Sequence, residues 1–518
     1  MSARPTIPGG GPQSVADVLD VGLRERPHAE ALVSRHRRLT FEELDDLTAR
    51  AATQLAELGV RPGDRVGASA GNHAELVVAF LATQRLEAVW VGINQQLAAP
   101  EIEFILDDAG ITAFLGDAGT VARAAALRPD LTVLDITADG RPDDWFTSLG
   151  GHDRLRPAPV DPHAPAAIGY TSGTTGQPKG AVHSQHNLLL PGASAALLRP
   201  DRPDARPGVC LPLTILNLVV LGPLVSFQQA LPCVLMDRVD AVGIAGWIRD
   251  ERLTTFAAVP AMVHDLLTHP DVHDSDLVTL VRPGVGGADC PQAVHDLYRA
   301  RFGTRITTGY GLTEAPTAVT GEDPAEPGVP GSVGRPLPHV DITIRDDDGA
   351  VLPAGAEGEV CVGPAADGPL AGAYTPMLGY WDRPEATDAA FWEGGTVLRT
   401  GDIGRFDDDG HLFITARKHD LIIRGGANVY PAEVERVLAE VPGVAACCVV
   451  GVPDERLGER VAAAVVVEPG AAVDAERLTE ACASSLARYK VPSRFEFVDA
   501  LPRNAMGKVV RREVQALL

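Results

Sequence analysis

The periodicity of the apolar residues constrains this chain most. Phe41, Leu44, Leu47, Ala51, Leu55 and Leu58 recur at helical spacing, with Thr40 placed as an N-cap and Gly59 as a terminator. This spacing predicts a helix over residues 41–60. Residues 66–70 then read as a strand, 74–86 as a helix and 89–93 as a strand. Strands that alternate with helices pair in parallel, because each helix carries the chain back to the same end of the sheet and covers one of its faces. The pattern recurs from residue 166 to about 308. Between about 321 and 413 it gives way to short β-type runs among Gly, Pro and Asp turns, which predicts a small antiparallel barrel. Beyond Arg417, a helix at 431–440, strands at 444–450 and 461–467, and a helix at 473–488 predict a compact α+β unit. The expected fold class is therefore α/β. A large N-terminal domain (1–416) comprises two parallel α/β subdomains and a small β-barrel, and a small α+β C-terminal domain (417–518) follows.

Charge and composition exclude several functions. The formal net charge is −24. Residues 417–518 balance to zero, so the whole imbalance lies on the first 416 residues. An acidic body lacks the basic face that nucleic acid requires and is repelled by anionic membrane surfaces. The 7 cysteines are odd in number and show no CxxC or His-rich ligand spacing. They are expected to be buried apolar thiols, not a disulfide framework or zinc site. The apolar run 211–227 is broken by Thr214, Asn217, Gly222 and two prolines. It is short for a bilayer span and reads as buried strand or helix. The first residues lack an apolar signal core, so the expected location is cytoplasmic, with no membrane span.

Lysine is scarce: of the 45 basic residues only Lys179, Lys418, Lys490 and Lys508 are lysine. A chain that uses arginine elsewhere keeps lysine where guanidinium will not serve. Lys179 closes the sequence Tyr170-Thr-Ser-Gly-Thr-Thr-Gly-Gln-Pro-Lys-Gly180, a loop leaving an apolar strand. Glycines such as Gly173 let backbone approach an anion. The hydroxyls of Thr171, Ser172, Thr174 and Thr175 and the Lys179 ammonium suit phosphate oxygens. The spacing is not GxxxxGK[ST], so this is not the common P-loop.

This stretch resembles the phosphate loop of the adenylate-forming superfamily, which includes acyl-CoA synthetases, adenylation domains and beetle luciferase. Further motifs follow in the family's order. Gly309-Tyr-Gly-Leu-Thr-Glu314 resembles the adenine and magnesium motif, Gly331-Ser-Val-Gly-Arg-Pro336 a further signature, and Leu398-Arg-Thr-Gly-Asp402 the ribose motif. Residues 417–435 resemble the hinge and the start of the C-terminal domain, and Pro502-Arg-Asn-Ala-Met-Gly-Lys508 the catalytic-lysine segment.

The resemblance implies attack of a carboxylate on the α-phosphate of ATP, giving an acyl-adenylate and pyrophosphate. Both reactants are anions, so the site must place positive charge where negative charge accumulates. By resemblance, Thr171, Ser172, Gly173, Thr174, Thr175 and Lys179 hold the phosphates, with Thr174 and Lys179 also in the catalytic set. Gly287, Ala288, Gly309, Tyr310, Gly311 and Thr313 surround the nucleotide, and Asp402 binds the ribose. Arg417 reaches the ribose or α-phosphate, Glu314 holds Mg²⁺, and Lys508 bridges the attacking carboxylate and the α-phosphate.

Family members rotate a mobile C-terminal domain about a pivot that is usually Asp or Lys. Here that position is His419, whose charge would tune the balance of poses near neutral pH. The acyl pocket is expected from Ile215, Asn217, Leu218, Val219, Gly286 and Leu312. Ile215 stands where the family usually has His or an aromatic, and Leu218 about where it has Gly. The apolar wall favours an uncharged, small to medium acyl chain, with Asn217 available to a polar substituent.

The implied cofactors are ATP, Mg²⁺ and coenzyme A, the partner being a small-molecule carboxylic acid. The alternative is a stand-alone adenylation enzyme that loads an acid or amino acid, including a β-amino acid, onto the phosphopantetheine of an acyl carrier protein. The cluster Arg488, Lys490, Arg494, Arg503, Arg511 and Arg512 in the neutral tail suits either. A monomer or homodimer is expected. A non-catalytic nucleotide-binding protein is disfavoured by Lys179, Glu314, Asp402 and Lys508 together.

Overall fold

The first predicted helix shows how local signals act here. In the computed structural model it spans Phe41–Glu57. Thr40 Oγ1 accepts from Glu43 N at 3.2 Å, and Glu43 Oε2 accepts from Thr40 N at 2.8 Å. This reciprocal cap satisfies two donors that a helix start otherwise leaves unpaired. Phe41, Leu44, Ala51 and Leu55 are fully buried, whereas Leu58 is exposed beyond the last turn. The structure describes residues 4–518 except 138–143, 156–157, 172–177, 199–203, 286–289, 291, 304, 419, 421, 425–426, 455–456, 487 and 505–506.

The chain divides into two compact units, Met1–Thr343 with Cys361–Arg399, and Ile344–Val360 with Thr400–Leu518. The first unit holds two seven-stranded sheets. One runs Thr307–Thr308, Arg282–Val285, Thr255–Ala258, Pro207–Val209, Cys233–Leu235, Glu30–Val33, Arg38–Thr40. The other runs Gly379–Tyr380, Lys179–Ser184, Pro165–Thr171, Val89–Gly92, Arg65–Ser69, Ala113–Gly116, Thr132–Asp135. Both are parallel through their centres, as the alternation predicts, with antiparallel strands at the edges.

The two sheets do not follow the simple order expected from sequence. The N-terminal hairpin Glu30–Thr40 joins the later sheet, and the phosphate-loop hairpin Pro165–Ser184 joins the earlier one. Gly379–Tyr380, expected within the antiparallel barrel, instead edges the Lys179–Ser184 strand. A five-stranded sheet is built from Val340–Arg345, Gly358–Pro364, Val397–Phe406, Phe391–Trp392 and Leu412–Arg417, and the division between units falls inside three of these strands.

The C-terminal sheet orders Ala427–Val429, Ile422–Arg424, Gly458–Val467 and Val444–Asp454, with Arg494–Phe497 parallel to Gly458–Val467. Alternation along the central strand separates two cores. Val461, Ala463 and Val465 pack with Val434, Leu438 and Leu478 of helices Pro431–Ala439 and Ala475–Ser485. Ala462 and Ala464 face Leu501 and Val514, the latter on helix Arg511–Leu517. All seven cysteines are free thiols, and burial pushes those of Cys210 and Cys233 up to about 12. Among the described residues no helix is long and apolar enough to cross a membrane.

Candidate active site

Lys179 opens the strand Lys179–Ser184 and pairs in register with Thr171, the last residue of the neighbouring strand. Thr171 Oγ1 donates to the Lys179 carbonyl at 3.4 Å. The hairpin therefore fixes both ends of the phosphate loop; Ser172, Gly173, Thr174 and Thr175 themselves lie outside the described residues.

A carboxylate at the end of helix Ala99–Asp108 anchors this hairpin. Asp108 Oδ2 accepts from the Tyr170 hydroxyl at 2.7 Å, and Oδ1 accepts from Arg383 at 2.6 Å. The Trp381 indole donates to the Asp108 carbonyl at 3.0 Å. Asp108 thus ties the strand on one side of Lys179 to residues that follow the strand on its other side. Burial and the Asp108 charge hold the Tyr170 hydroxyl above its ordinary pKa.

Tyr380 completes the contact. Its hydroxyl donates to Glu314 Oε1 at 2.9 Å, and Lys179 Nζ lies 5.3 Å from the centre of its ring. Burial, reinforced by the Glu314 charge, raises the Tyr380 hydroxyl pKa, so it remains a donor. Lys179 and Glu314 are brought together through a residue that the motif reading does not single out. Its only signal in the sequence is a Gly-Tyr pair in a turn-rich stretch.

The motif around Glu314 is held by backbone contacts. Gly311–Leu312 pairs antiparallel with Thr317–Ala318. A Cβ at Gly311 would collide with the Thr317 carbonyl, so the close strand approach requires glycine there. The Tyr310 carbonyl accepts from Val319 N at 2.9 Å and Thr320 N at 3.1 Å. Tyr310 N donates to Thr320 Oγ1 at 3.0 Å, and that buried hydroxyl donates to the Val333 carbonyl at 2.5 Å. The 331–336 signature therefore backs the Tyr310 segment. A Cβ on Gly169 would lie 2.7 Å from the Thr313 methyl and 3.3 Å from a Leu216 methyl. That places the phosphate strand, Thr313 and the start of the acyl-wall helix in mutual contact. Gly309 and Leu312 are half-buried. Gly286, Gly287 and Ala288 lie outside the described residues.

The expected acyl wall is helical. Leu216–Val219, Val220–Leu224 and Val225–Gln228 run on in sequence, the middle turn being π-helical around Pro223, which has no N–H to give. Val219 is buried, and Ile215, Asn217 and Leu218 are half-buried. Asn217 Oδ1 is buried without a hydrogen bond among the described residues. The segment before this wall is pinned by Asn72, a second residue the sequence motifs leave out. Its Nδ2 donates to the Leu211 carbonyl at 3.0 Å and its Oδ1 accepts from Leu213 N at 3.0 Å.

The second unit gathers the other candidate residues. Asp402 and Arg417 face each other on paired strands, with Arg417 Nε 3.0 Å from Asp402 Oδ1. Lys508 sits in a turn set by Asn504, whose Oδ1 accepts from Lys508 N at 3.0 Å, with Gly507 at φ +76°. Lys508 keeps solvent contact, yet the protein around its ammonium withdraws water and lowers its pKa. The like charge of Arg417 adds to this, and Asp402 opposes it. His419 lies outside the described residues.

The basic tail cluster is smaller than expected. Lys490 is paired inside the unit: its Nζ lies 2.7 and 2.6 Å from the two carboxylate oxygens of Glu433. Arg511 is engaged by Glu435 at 2.7 and 3.0 Å and lies 3.2 Å from Asp420. Arg494 meets Glu496 at 3.1 Å. These internal pairs absorb half of the six cations.

The donor set suits magnesium better than a transition metal. Among the described residues, no group of three or more His, Cys, Asp or Glu is placed to hold a metal ion. Mg²⁺ takes one or two carboxylates and completes its shell with substrate phosphates and water. Glu314, whose Oε1 accepts from the Tyr380 hydroxyl, could offer that carboxylate.

The family profile described as "AMP-binding enzyme" matches residues 19–381, and that described as "AMP-binding enzyme C-terminal domain" matches 433–508. The chain belongs to the AMP-binding, adenylate-forming enzyme family. Among its relatives is the long-chain-fatty-acid–CoA ligase FadD13 of Mycobacterium tuberculosis, 36% identical, the match covering 94% of this chain and 96% of the relative. The fatty acid–[acyl-carrier-protein] ligase ScoC of Streptomyces coeruleorubidus is 35% identical, over 97% and 96%. The ATP-bound crystal structure of MatB from Rhodopseudomonas palustris superposes with a TM-score of 0.87 at 29% identity, over 97% and 98%. This member of the family is thus matched along both of its parts.

Proposed function

We propose that this adenylate-forming enzyme is an ATP-dependent, AMP-forming acid–thiol ligase that converts a small-molecule carboxylic acid to its coenzyme A thioester in the cytoplasm. The observation that carries the reading is the end-to-end likeness to a CoA ligase at 36% identity, with Lys179, Glu314, Asp402 and Lys508 all at their motif positions. The likeness to ScoC supports a second reading, in which the acceptor is a carrier-protein phosphopantetheine.

In the first half-reaction an acid oxygen attacks the α-phosphorus. The bond to the bridging oxygen breaks, and pyrophosphate leaves. Lys179 and the 171–175 hydroxyls and amides take up charge on the phosphates. Bound Mg²⁺ would neutralise phosphate charge from Glu314. Tyr310 and Thr313 flank the base, with Gly309, Gly311, Gly287 and Ala288 leaving room for it, and Asp402 accepts from the ribose hydroxyls. Lys508, with Arg417 beside it, holds the carboxylate against the α-phosphate. In the second half-reaction the thiol sulfur bonds to the acyl carbon, the mixed-anhydride C–O bond breaks, AMP departs and the thiol proton goes to solvent.

Residues 417–518 act as the mobile domain in this reading, with His419 the pivot. Ile215, Asn217, Leu218, Val219, Leu312 and Gly286 form the acyl pocket. The test is acid-dependent pyrophosphate release over a panel of carboxylic and amino acids, followed by mass spectrometry with coenzyme A or a holo-carrier protein. A coenzyme A thioester is the expected product. No turnover with any acid sinks both readings.

A further inference from the structure

Three side chains in the first unit form one continuous contact. Tyr380 donates its hydroxyl hydrogen bond to Glu314 at 2.9 Å and presents its ring to Lys179 Nζ at 5.3 Å. Tyr380 is itself fixed on several sides. Its strand pairs antiparallel with the lysine's own strand, Tyr380 opposite Ala181. Its N–H donates to Thr387 Oγ1 at 2.9 Å. The flanking residues Leu378 and Trp381 each donate to carbonyls of the lysine strand at 2.7 Å, at Val182 and Gly180. Gly379 has φ +141°, and a Cβ there would lie 2.7 Å from the Thr387 methyl, so the Gly-Tyr pair is shaped to deliver the ring.

We infer that Tyr380 is a positioning residue that sets Glu314 for magnesium and Lys179 for phosphate at the same time. This rests on the reading of Glu314 and Lys179 given above. The hydroxyl donates to Oε1 of Glu314 and so fixes the orientation of the carboxylate. Partners of this kind around a ligating group typically change metal affinity by about 10- to 100-fold when removed. The ring does a separate task. Its electron-rich face attracts the ammonium and keeps Lys179 at the mouth of the phosphate loop without neutralising it, which a carboxylate partner would do. A single side chain therefore divides into two separable parts, the hydroxyl for the metal side and the ring for the lysine side.

The division supplies the test. Tyr380→Phe keeps the ring and loses the hydroxyl, whereas Tyr380→Leu loses both. Binding of ATP to the full chain is measured by calorimetry with and without Mg²⁺. The Mg²⁺ concentration for half-maximal acid-dependent pyrophosphate exchange is measured alongside. Tyr380→Phe is expected to leave metal-free ATP affinity within about 2-fold and to raise the half-saturating Mg²⁺ about 10-fold. Tyr380→Leu is expected also to weaken metal-free ATP binding several-fold, with the KM for the acid unchanged in both. Glu314→Gln is the companion variant. An unchanged Mg²⁺ requirement in Tyr380→Phe, when Glu314→Gln raises it, overturns the inference alone. An unchanged requirement in both overturns it together with the metal role of Glu314. Thermal melts verify that the variants are folded.

Discussion

Arg417 Nε stands 3.0 Å from Asp402 Oδ1, yet the two partners live in different surroundings: the carboxylate side chain is 3% exposed and the guanidinium 58%. The asymmetry decides what each substitution does. Removing Arg417 leaves a buried carboxylate with one cation fewer, whereas removing the Asp402 charge leaves a guanidinium that water can solvate. A buried charged group stripped of a partner costs about 1–3 kcal/mol, and an exposed one much less. Arg417→Ala is expected to destabilise the chain more than Asp402→Asn does, read by urea unfolding. Asp402→Asn is expected to raise the KM for ATP more than Arg417→Ala, because the proposed role of Asp402 is to accept from the ribose hydroxyls. The opposite ranking in either measurement would count against these roles.

Lys508 has a lowered ammonium pKa, from loss of water around it and from Arg417, partly offset by Asp402. The role proposed for Lys508 needs the protonated form. Adenylation should therefore decline as pH rises through a value below the ordinary lysine value of 10.5. Arg417→Ala removes the like charge, so the alkaline limb should move to higher pH in that variant. Lys508→Ala is expected to lose adenylation by about 100-fold or more. It should still convert a supplied acyl-adenylate to thioester. Equal loss of both half-reactions refutes the assignment.

Much of this was legible in the sequence because the signals were local. Thr40 caps its helix as its place before the apolar repeat implies, and Lys179, Glu314, Asp402 and Lys508 sit in motifs of contiguous residues. What was not legible depends on distance along the chain. Asp108 meets Tyr170 and Arg383 from positions separated by |i−j| of 62 and 275. Tyr380 reaches Glu314 across 66 residues. No periodicity encodes such meetings. They follow from edge strands joining sheets out of chain order, as Gly379–Tyr380 does. Lys490 follows the same rule: the sequence places it in the basic tail cluster, and Glu433, 57 residues away, takes its ammonium through both carboxylate oxygens.

His73 supplies a stability switch at the N-terminus of helix Ala74–Arg85. Its Nε2 is 2.9 Å from Asp117 Oδ1 and its Nδ1 3.2 Å from Glu75 Oε2, a glutamate that also faces Arg37 at 3.3 Å. Burial alone would depress the imidazole pKa, but the hydrogen bond to Asp117 and the nearby carboxylates of Asp117 and Glu75 outweigh it and raise it to about 9. The folded value lies above the unfolded one of 6.5. The resulting stabilisation, on the order of a few kcal/mol, is full below pH 6.5 and fades as pH rises through about 9. Thermal melts from pH 6 to 10 should show the wild type losing stability over that window. His73→Gln should be less stable at pH 6 and converge on the wild type near pH 10. A constant gap between them would exclude a charged His73.

Asn72 joins two segments that lie far apart in the chain. One amide side chain serves the Leu211 carbonyl and the Leu213 N–H, both at 3.0 Å, and its Nδ2 also reaches the Met236 carbonyl at 3.3 Å. Nearby, a Cβ on Gly92 would overlap the Thr214 carbonyl, so the strand Val89–Gly92 presses directly on the backbone that leads into the acyl wall. The expected wall at Ile215–Val219 therefore takes its position from the sheet that contains Val89–Gly92. Asn72→Ala leaves the partners of its amide unsatisfied and is expected to cost about 1–3 kcal/mol in urea unfolding. With the wall loosened, the KM for the acid should rise several-fold and the spread of acids accepted should widen, while the KM for ATP stays unchanged. A rise in the ATP KM of equal size would mean that Asn72 supports the whole site and not the acyl wall.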